Sequence, residues 1–192
     1  MTVLYPELFP NISWFLHAHK LNQFLIDQNP RFLQNKFLNK FAIPGPNQIQ
    51  TLIIPVLAES KNGTYDAVKI DYSPKWIREH KNALQTAYGK SPFFEYYDYR
   101  IFTLYDQQIE HLSTLNHLLF TNMIQWIGLN NLPIISEENQ DSLHFNSNNN
   151  DIQVPEYNQV FHEKFGFRSQ VSILDLLFNQ GPLAKEYFQH SF

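Results

Sequence analysis

The sequence predicts one domain of mixed α and β class (α+β or α/β), an N-terminal strand-rich layer with an early helix, packed by C-terminal helices. Three observations predict it. The first part of the chain reads as short apolar strands separated by turn residues. Beyond residue 73 come helix-start signals and apolar stripes with helical period. The 192 residues, 43% hydrophobic and 17% charged, supply one substantial core but are short for two ordinary domains, so 1–192 is expected to fold as a unit.

Taken in order, "TVLY" (2–5) and "QFLID" (23–27) are strands around a helix that Asn11 caps and that runs to about Asn22, a β-α-β opening. "QTLIIPVL" (50–57) and "DAVKIDY" (66–72) read as two further strands joined by a hairpin turn at Asn62-Gly63. Pro55 confines the first of them to an edge or ends its pairing. Ser73-Pro74 and Ser91-Pro92 each place a hydroxyl at an N-cap and a proline at the first helical position, and Gly89 falls where the first of these helices should stop. From Glu110 to Trp126, the residues Leu112, Leu115, Leu119, Met123 and either Trp126 or Ile127 form an apolar stripe, with Gly128 as the left-handed exit. Phe94, Tyr97 and Ile101 keep helical spacing, which favours core packing over an aromatic binding platform. Residues 136–150 turn polar and asparagine-rich and read as a long, mobile surface loop, after which "VSILDLLFNQGP" (171–182) brings a last helix onto the core.

Composition removes several function classes. Fourteen Lys and Arg against 18 Asp and Glu leave a net charge of -4, which argues against binding to nucleic acid or anionic lipid. Without cysteine there are no disulfides, thiolate nucleophiles or zinc-thiolate sites. The start "MTVLYPELFPNISWF" lacks a basic region followed by a long apolar run, and no window of about 18 uncharged apolar residues occurs, so a cytoplasmic protein without a membrane segment is expected. No phosphate-loop, dinucleotide or nucleophile-elbow pattern is present, and no motif indicates a cofactor. The histidines are scattered, His111 and His117 six apart and His162-Glu163 without a second histidine, so no metal site is expected.

Four stretches, "FPNISWF", "NKFLNKFAIPGPNQIQTLIIPV", "KIDYSPKWIREHKNALQTAYGKSPFFEYY" and "YNQVFHEKFGFRSQVSILDLLFNQGPLAKEYF", together resemble the WbqC-like protein family in the same order, over most of the chain. The form "SILDLLFN-G" after "QVF" is most similar to the Bacteroidetes branch. The resemblance implies a setting in O-antigen and other surface-polysaccharide assembly, with transfer of glycine to a sugar as a suggested role. Where the family tends to carry arginine-asparagine-arginine, this chain has Leu38, Asn39 and Lys40. An ammonium is a compact point charge and leucine has no donor, so bidentate recognition of carboxylate or phosphate is lost there.

Candidate chemistry stands beside plainer readings. Ser172 and Asp175 approximate a capping box, which requires no ligand. Alternatively Asp175 faces a pocket as a general base or orients a histidine, with Asn179 one turn on as a substrate contact. His80 shares a four-residue stripe with Trp76, Leu84 and Tyr88, the setting of a hydrogen-bonded core histidine. If Asp175 approached it, the two would form a carboxylate-imidazole pair able to remove a proton. Asn35, Lys36, Asn39 and Lys40 offer donors to sugar hydroxyls or phosphate, with Tyr5 or Phe9 available to stack on a sugar face; the plainer version is a solvated basic loop. Two functions remain open: a transferase, acyl or aminoacyl in type, acting on an amino sugar or activated sugar with His80 and Asp175 as catalytic groups, or a non-catalytic sugar-binding or scaffolding subunit.

Overall fold

The structure, a computed structural model, describes residues 2–21, 24–27, 30–34, 37–129, 132, 134–135, 143–145 and 152–190. The β-α-β opening is present as β1 (Thr2–Leu4), α1 (Ile12–Lys20) and β2 (Phe24–Ile26). Asn11 starts α1, its Oδ1 accepting from the Trp14 backbone N–H at 3.0 Å. β1 and β2 pair in parallel with Thr2 opposite Phe24, and parallel pairing requires the crossover that α1 supplies.

An antiparallel hairpin follows, β3 (Lys40–Pro44) with β4 (Ile49–Ile53), Lys40 opposite Ile53 and Pro44 opposite Ile49. This corrects the expected pairing of 50–57 with 66–72. The Pro44-Gly45-Pro46 reversal places β3 beside β4, and the ladder stops before Pro55, which has no N–H to donate. Residues 65–67 form a 3-10 turn, and the two expected strands meet only at the isolated bridge of Val56 with Ile70.

Three long helices come next, α2 (Trp76–Tyr88), α3 (Phe94–Asp106) and α4 (Leu112–Trp126). Both Ser-Pro pairs lie just ahead of a helix, but the N-caps are Lys75 and Phe93, without side-chain cap bonds. The Ser73 hydroxyl donates instead to the Asp71 carboxylate at 2.7 Å, a stronger acceptor close at hand. Along α4 the stripe Leu112, Leu115, Leu119 and Met123 is buried, and Gly128 leaves the helix at φ 73°.

β5 (Ile134–Ile135) and β6 (Leu143–Phe145) complete an all-parallel sheet of order β5-β2-β1-β6. Most of the loop expected over 136–150 lies outside the described residues; within it, Leu143–Phe145 is a strand, Leu143 pairing with Thr2. Consecutive residues Val3 and Leu4 are both buried, as are Phe24 and Leu25, so the sheet is covered on both faces as parallel sheets require. The chain ends in α5 (His162–Phe165), α6 (Ile173–Gln180) and α7 (Ala184–His190).

Aromatic contacts join these layers. Trp14 of α1 meets Phe24 of β2 at 6.1 Å between ring centroids and Phe120 of α4 at 5.3 Å. Phe178 of α6 meets Tyr88 of α2 at 4.9 Å and Phe94 of α3 at 5.1 Å. Gly181 closes α6 at φ 53°, and a Cβ there would lie 2.5 Å from the Phe93 ring. Gly181→Ala is therefore expected to cost about 2 kcal/mol or more, from the left-handed backbone and the ring clash together. Urea unfolding reads this as a lower midpoint; an unchanged midpoint means the ring moves aside freely.

Candidate functional site

Beyond the carboxyl ends of β1 and β2 opens a cleft of about 840 Å³. In parallel α/β sheets ligands bind at this end of the strands. Pro6 follows β1, and Ile26 with Asp27 closes β2; Tyr65 and Asp66 come from the 3-10 turn, and one face of α4 forms the remaining wall. That wall presents Ser113, His117 and Thr121 at four-residue intervals beside Phe120 and Ile124, while the leucine stripe on the other side of α4 faces the core. Among the described residues, the lining thus mixes apolar and aromatic surface with hydroxyls, amides, an imidazole and two carboxylates, without lysine or arginine.

At the floor, the buried Asn116 amide donates from Nδ2 to the Leu38 carbonyl at 2.6 Å and to the Pro6 carbonyl at 3.4 Å. Its Oδ1 is buried without a hydrogen-bond partner. The Tyr65 hydroxyl lies 3.5 Å from the Pro6 carbonyl, and burial raises its pKa far above the ordinary phenol value. At the rim, the Asp27 backbone N–H donates to the Leu4 carbonyl at 2.9 Å, which keeps this residue at the sheet edge. Thr64 donates to the Asp66 carboxylate at 2.6 Å.

The WbqC-like protein family matches residues 5–142. The chain belongs to that family. No curated protein and no solved structure matches it. In this WbqC-like protein the matched stretch contains all of the described residues that line the cleft.

The residues singled out from sequence take varied places. His80 is 2% exposed, with Nε2 3.1 Å from the Ile53 carbonyl and its ring packed against Phe41, Trp76 and Tyr105. Burial lowers its pKa to about 4, the Ile53 hydrogen bond opposing, so the imidazole is neutral with its proton on Nε2. Asp175 is 0% exposed and accepts from the Tyr157 hydroxyl at 2.5 Å and from Gln159 Nε2 at 2.8 Å. Tyr88 bears on the same carboxyl, yet neither its hydroxyl nor Asp175 Oδ1 completes a hydrogen bond. The structure does not bring His80 and Asp175 together. Tyr88, the α2 residue facing Asp175, is eight residues from His80, about 12 Å along the helix. Neither is among the residues lining the cleft.

Half of the capping box is realised. Ser172 Oγ accepts from the Leu174 N–H at 3.1 Å, but Asp175 turns to Tyr157 and Gln159 while the Ser172 N–H goes to the Ala42 carbonyl. Asn179 Nδ2 donates to the Asp175 carbonyl at 2.8 Å, within its own helix. Asn39 Nδ2 donates to the Ile54 carbonyl at 2.9 Å, extending the hairpin, and Lys40 sits half-buried beside a crevice of about 40 Å³ that Glu7 also lines. Asn35 and Lys36 lie outside the described residues. Tyr5 follows β1 next to Pro6, close enough for Asp27 to add to the upward pKa shift that burial imposes on its hydroxyl.

Sequence reasoning passed over Asp27, Asp66, Asn116 and His117. A usable signal existed for two of them: Asp27 ends a strand of the β-α-β opening, and His117 shares a polar four-residue stripe with Ser113 and Thr121 opposite the leucines.

Two pH predictions follow from the buried groups. Burial raises the Asp175 pKa from 3.8 to about 6, with the Tyr157 and Gln159 hydrogen bonds opposing. The folded state then holds this proton more tightly than the unfolded chain does, so the stability it contributes is complete below about pH 4 and lost as pH rises towards 6. Relative to Asp175→Asn, which cannot ionise, the wild type is expected to lose about 2 kcal/mol between about pH 4 and pH 7. Denaturant unfolding at both pH values tests this, and a constant difference between the proteins would refute it. His80 is expected to show no ring titration by NMR between about pH 5.5 and pH 8.

Proposed function

We propose that this WbqC-like protein handles a sugar in surface-polysaccharide assembly, and that the sugar occupies the cleft beyond β1 and β2. The observation that supports this most is the lining: aromatic and apolar surface beside planar amides, hydroxyls and carboxylates, at the strand ends where parallel sheets bind ligands. In this reading it is a transferase of acyl or aminoacyl type, glycine being one such group, acting on an amino sugar or activated sugar. As the acceptor's amine or hydroxyl attacks the acyl carbon, the bond to the donor's leaving group breaks and that group departs with the electron pair; the acceptor loses a proton, which the His117 imidazole in the lining can receive. His80 and Asp175 serve the scaffold instead, since each is enclosed by its own partners. Nucleic acid is a poor ligand for a cleft whose described lining has two carboxylates and no cationic side chain.

A non-catalytic sugar-binding role uses the same cleft. One observation favours it: His117 is exposed, with no hydrogen bond to another described residue that would orient it.

Thr121 is exposed on the cleft wall, so Thr121→Trp fills the cleft while leaving the core alone. Surface glycans of a strain lacking the protein are expected to miss one modification, restored by the wild type and not by Thr121→Trp. Full restoration by that variant would remove the cleft from the function, and an unchanged glycan profile in the deleted strain would remove the polysaccharide role.

A further inference from the structure

We infer that the outer edge of β4 pairs antiparallel with β4 of a second copy of this chain, joining the two hairpins into one continuous sheet across a two-fold axis. The inference is independent of the cleft, since none of Ile49 to Ile53 lines it.

The ladder of the hairpin shows which main-chain groups point outwards. The Gly45 N–H donates to the Gln48 carbonyl at 2.9 Å and the Ile54 N–H to the Asn39 carbonyl at 2.8 Å. Hydrogen-bonded positions alternate with non-bonded ones in an antiparallel pair, so Gln50 and Leu52 turn their main-chain groups to β3 while Ile49, Thr51 and Ile53 turn theirs away. The outer side of β3 is occupied, the Ser172 N–H at the start of α6 donating to the Ala42 carbonyl. On the outer side of β4 the Ile53 carbonyl accepts from His80 Nε2 at 3.1 Å, and the main-chain groups of Ile49 and Thr51 meet no partner among the described residues. A hollow of about 570 Å³ opens beside them, and its described lining is residues 45–51 of the hairpin alone.

Alternating N–H and C=O groups at strand spacing are matched by another extended main chain. Charge and symmetry make that chain a second β4. Exposed edges are ordinarily guarded by lysine or other charges, yet residues 41–58 contain no charged side chain. Two copies therefore meet without local repulsion, whereas a charged partner strand finds no opposite charge to pair with. The outward pattern is also its own complement. About a two-fold axis at Gln50, Ile49 of each copy falls opposite Thr51 of the other, and each such pair exchanges both of its N–H···O bonds. The His80 bond on the Ile53 carbonyl ends the ladder there and places the axis at Gln50 rather than at Thr51. Ile49 and Ile53, 39% and 49% exposed, share one face with Thr51. In this register Ile49 packs beside Thr51 of the other copy with Ile53 on the diagonal, so both isoleucines leave water.

Analytical ultracentrifugation of the full chain over a concentration series tests the inference. The wild type is expected to pass from the 22.7 kDa monomer to a dimer as concentration rises. Ile49→Lys places a charge on each side of the axis and is expected to weaken the dimer about tenfold or more. Because the chain has no cysteine, Gln50→Cys reports the register: across the axis two such residues form a non-hydrogen-bonded pair about 4.5 Å apart at Cα, within disulfide reach. In a thiol–disulfide buffer this variant should become a covalent dimer about tenfold or more faster than Gln107→Cys, at an exposed position after α3. The cross-linking result stands by itself if Ile49→Lys folds poorly. A wild type that stays monomeric up to about 1 mM overturns the inference and leaves the edge to a strand of a different protein. A dimer that Ile49→Lys leaves intact, or equal cross-linking of the two cysteine variants, overturns it by moving the contact to another surface.

Discussion

A carboxyl group sealed inside a helix with no solvent face is the constraint from which the rest of this structure is arranged. Six consecutive residues of α6, Ile173 to Phe178, are buried, and Asp175 stands among them. An unpaired charge there would cost several kcal/mol, so the surroundings must supply donors and tolerate a neutral acid. Tyr157 and Gln159 are those donors. Gln159 also donates to the Arg168 carbonyl and accepts from the Arg168 N–H, so the group that satisfies Asp175 also closes the loop containing α5. Tyr187 of α7 fastens the same segment by donating to the Pro155 carbonyl at 2.7 Å.

From α6 the order spreads to the cleft. Its first turn is joined to the hairpin by the Ser172 N–H on the Ala42 carbonyl and to the segment after β1 by the Ile173 N–H on the Pro10 carbonyl. That segment, Tyr5 to Pro10, is held by Trp14 Nε1 on the Tyr5 carbonyl, by Asn116 on the Pro6 carbonyl and by the Leu8 N–H on the Phe37 carbonyl. Phe9 takes a left-handed backbone at φ 44°, which costs a non-glycine residue about 1–3 kcal/mol, and its ring is held against Phe41 at 4.9 Å. A chain pinned this closely gives the cleft a preformed rim at the end of the sheet. The departure from the arginine-rich pattern fits the same frame: Leu38 is buried and its carbonyl receives Asn116, so at this position the backbone rather than the side chain serves the cleft floor.

Local signals in the sequence were accurate wherever one or two turns of chain decide the outcome. Asn11 caps α1, the leucine stripe of α4 faces the core, and Gly128 leaves its helix with positive φ. The Ser-Pro pairs announced two helices but misplaced their caps; at the first, a neighbouring carboxylate, Asp71, is a better partner for Ser73 than the helix end. The hairpin was assigned to the wrong pair of segments because strand pairing depends on which chain lies alongside, and the Pro-Gly-Pro reversal brought β3 there first.

By itself, the sequence determined the class of the fold, the β-α-β opening, the helical periodicity and the family, since each of these depends on residues close in the chain or on their order along it. Only the tertiary structure decided which polar groups meet. His80 and Asp175 carry the residue types of a catalytic pair, yet one is committed to the Ile53 carbonyl and the other to Tyr157 and Gln159. Asp66 and Asn116 show nothing unusual in their local contexts, and they line one cleft with Asp27 and His117 because the ends of parallel strands lie beside one face of α4. The physical reason is that side-chain hydrogen bonding and burial act through space over a few ångströms, and the separation of two residues along the chain sets no such distance.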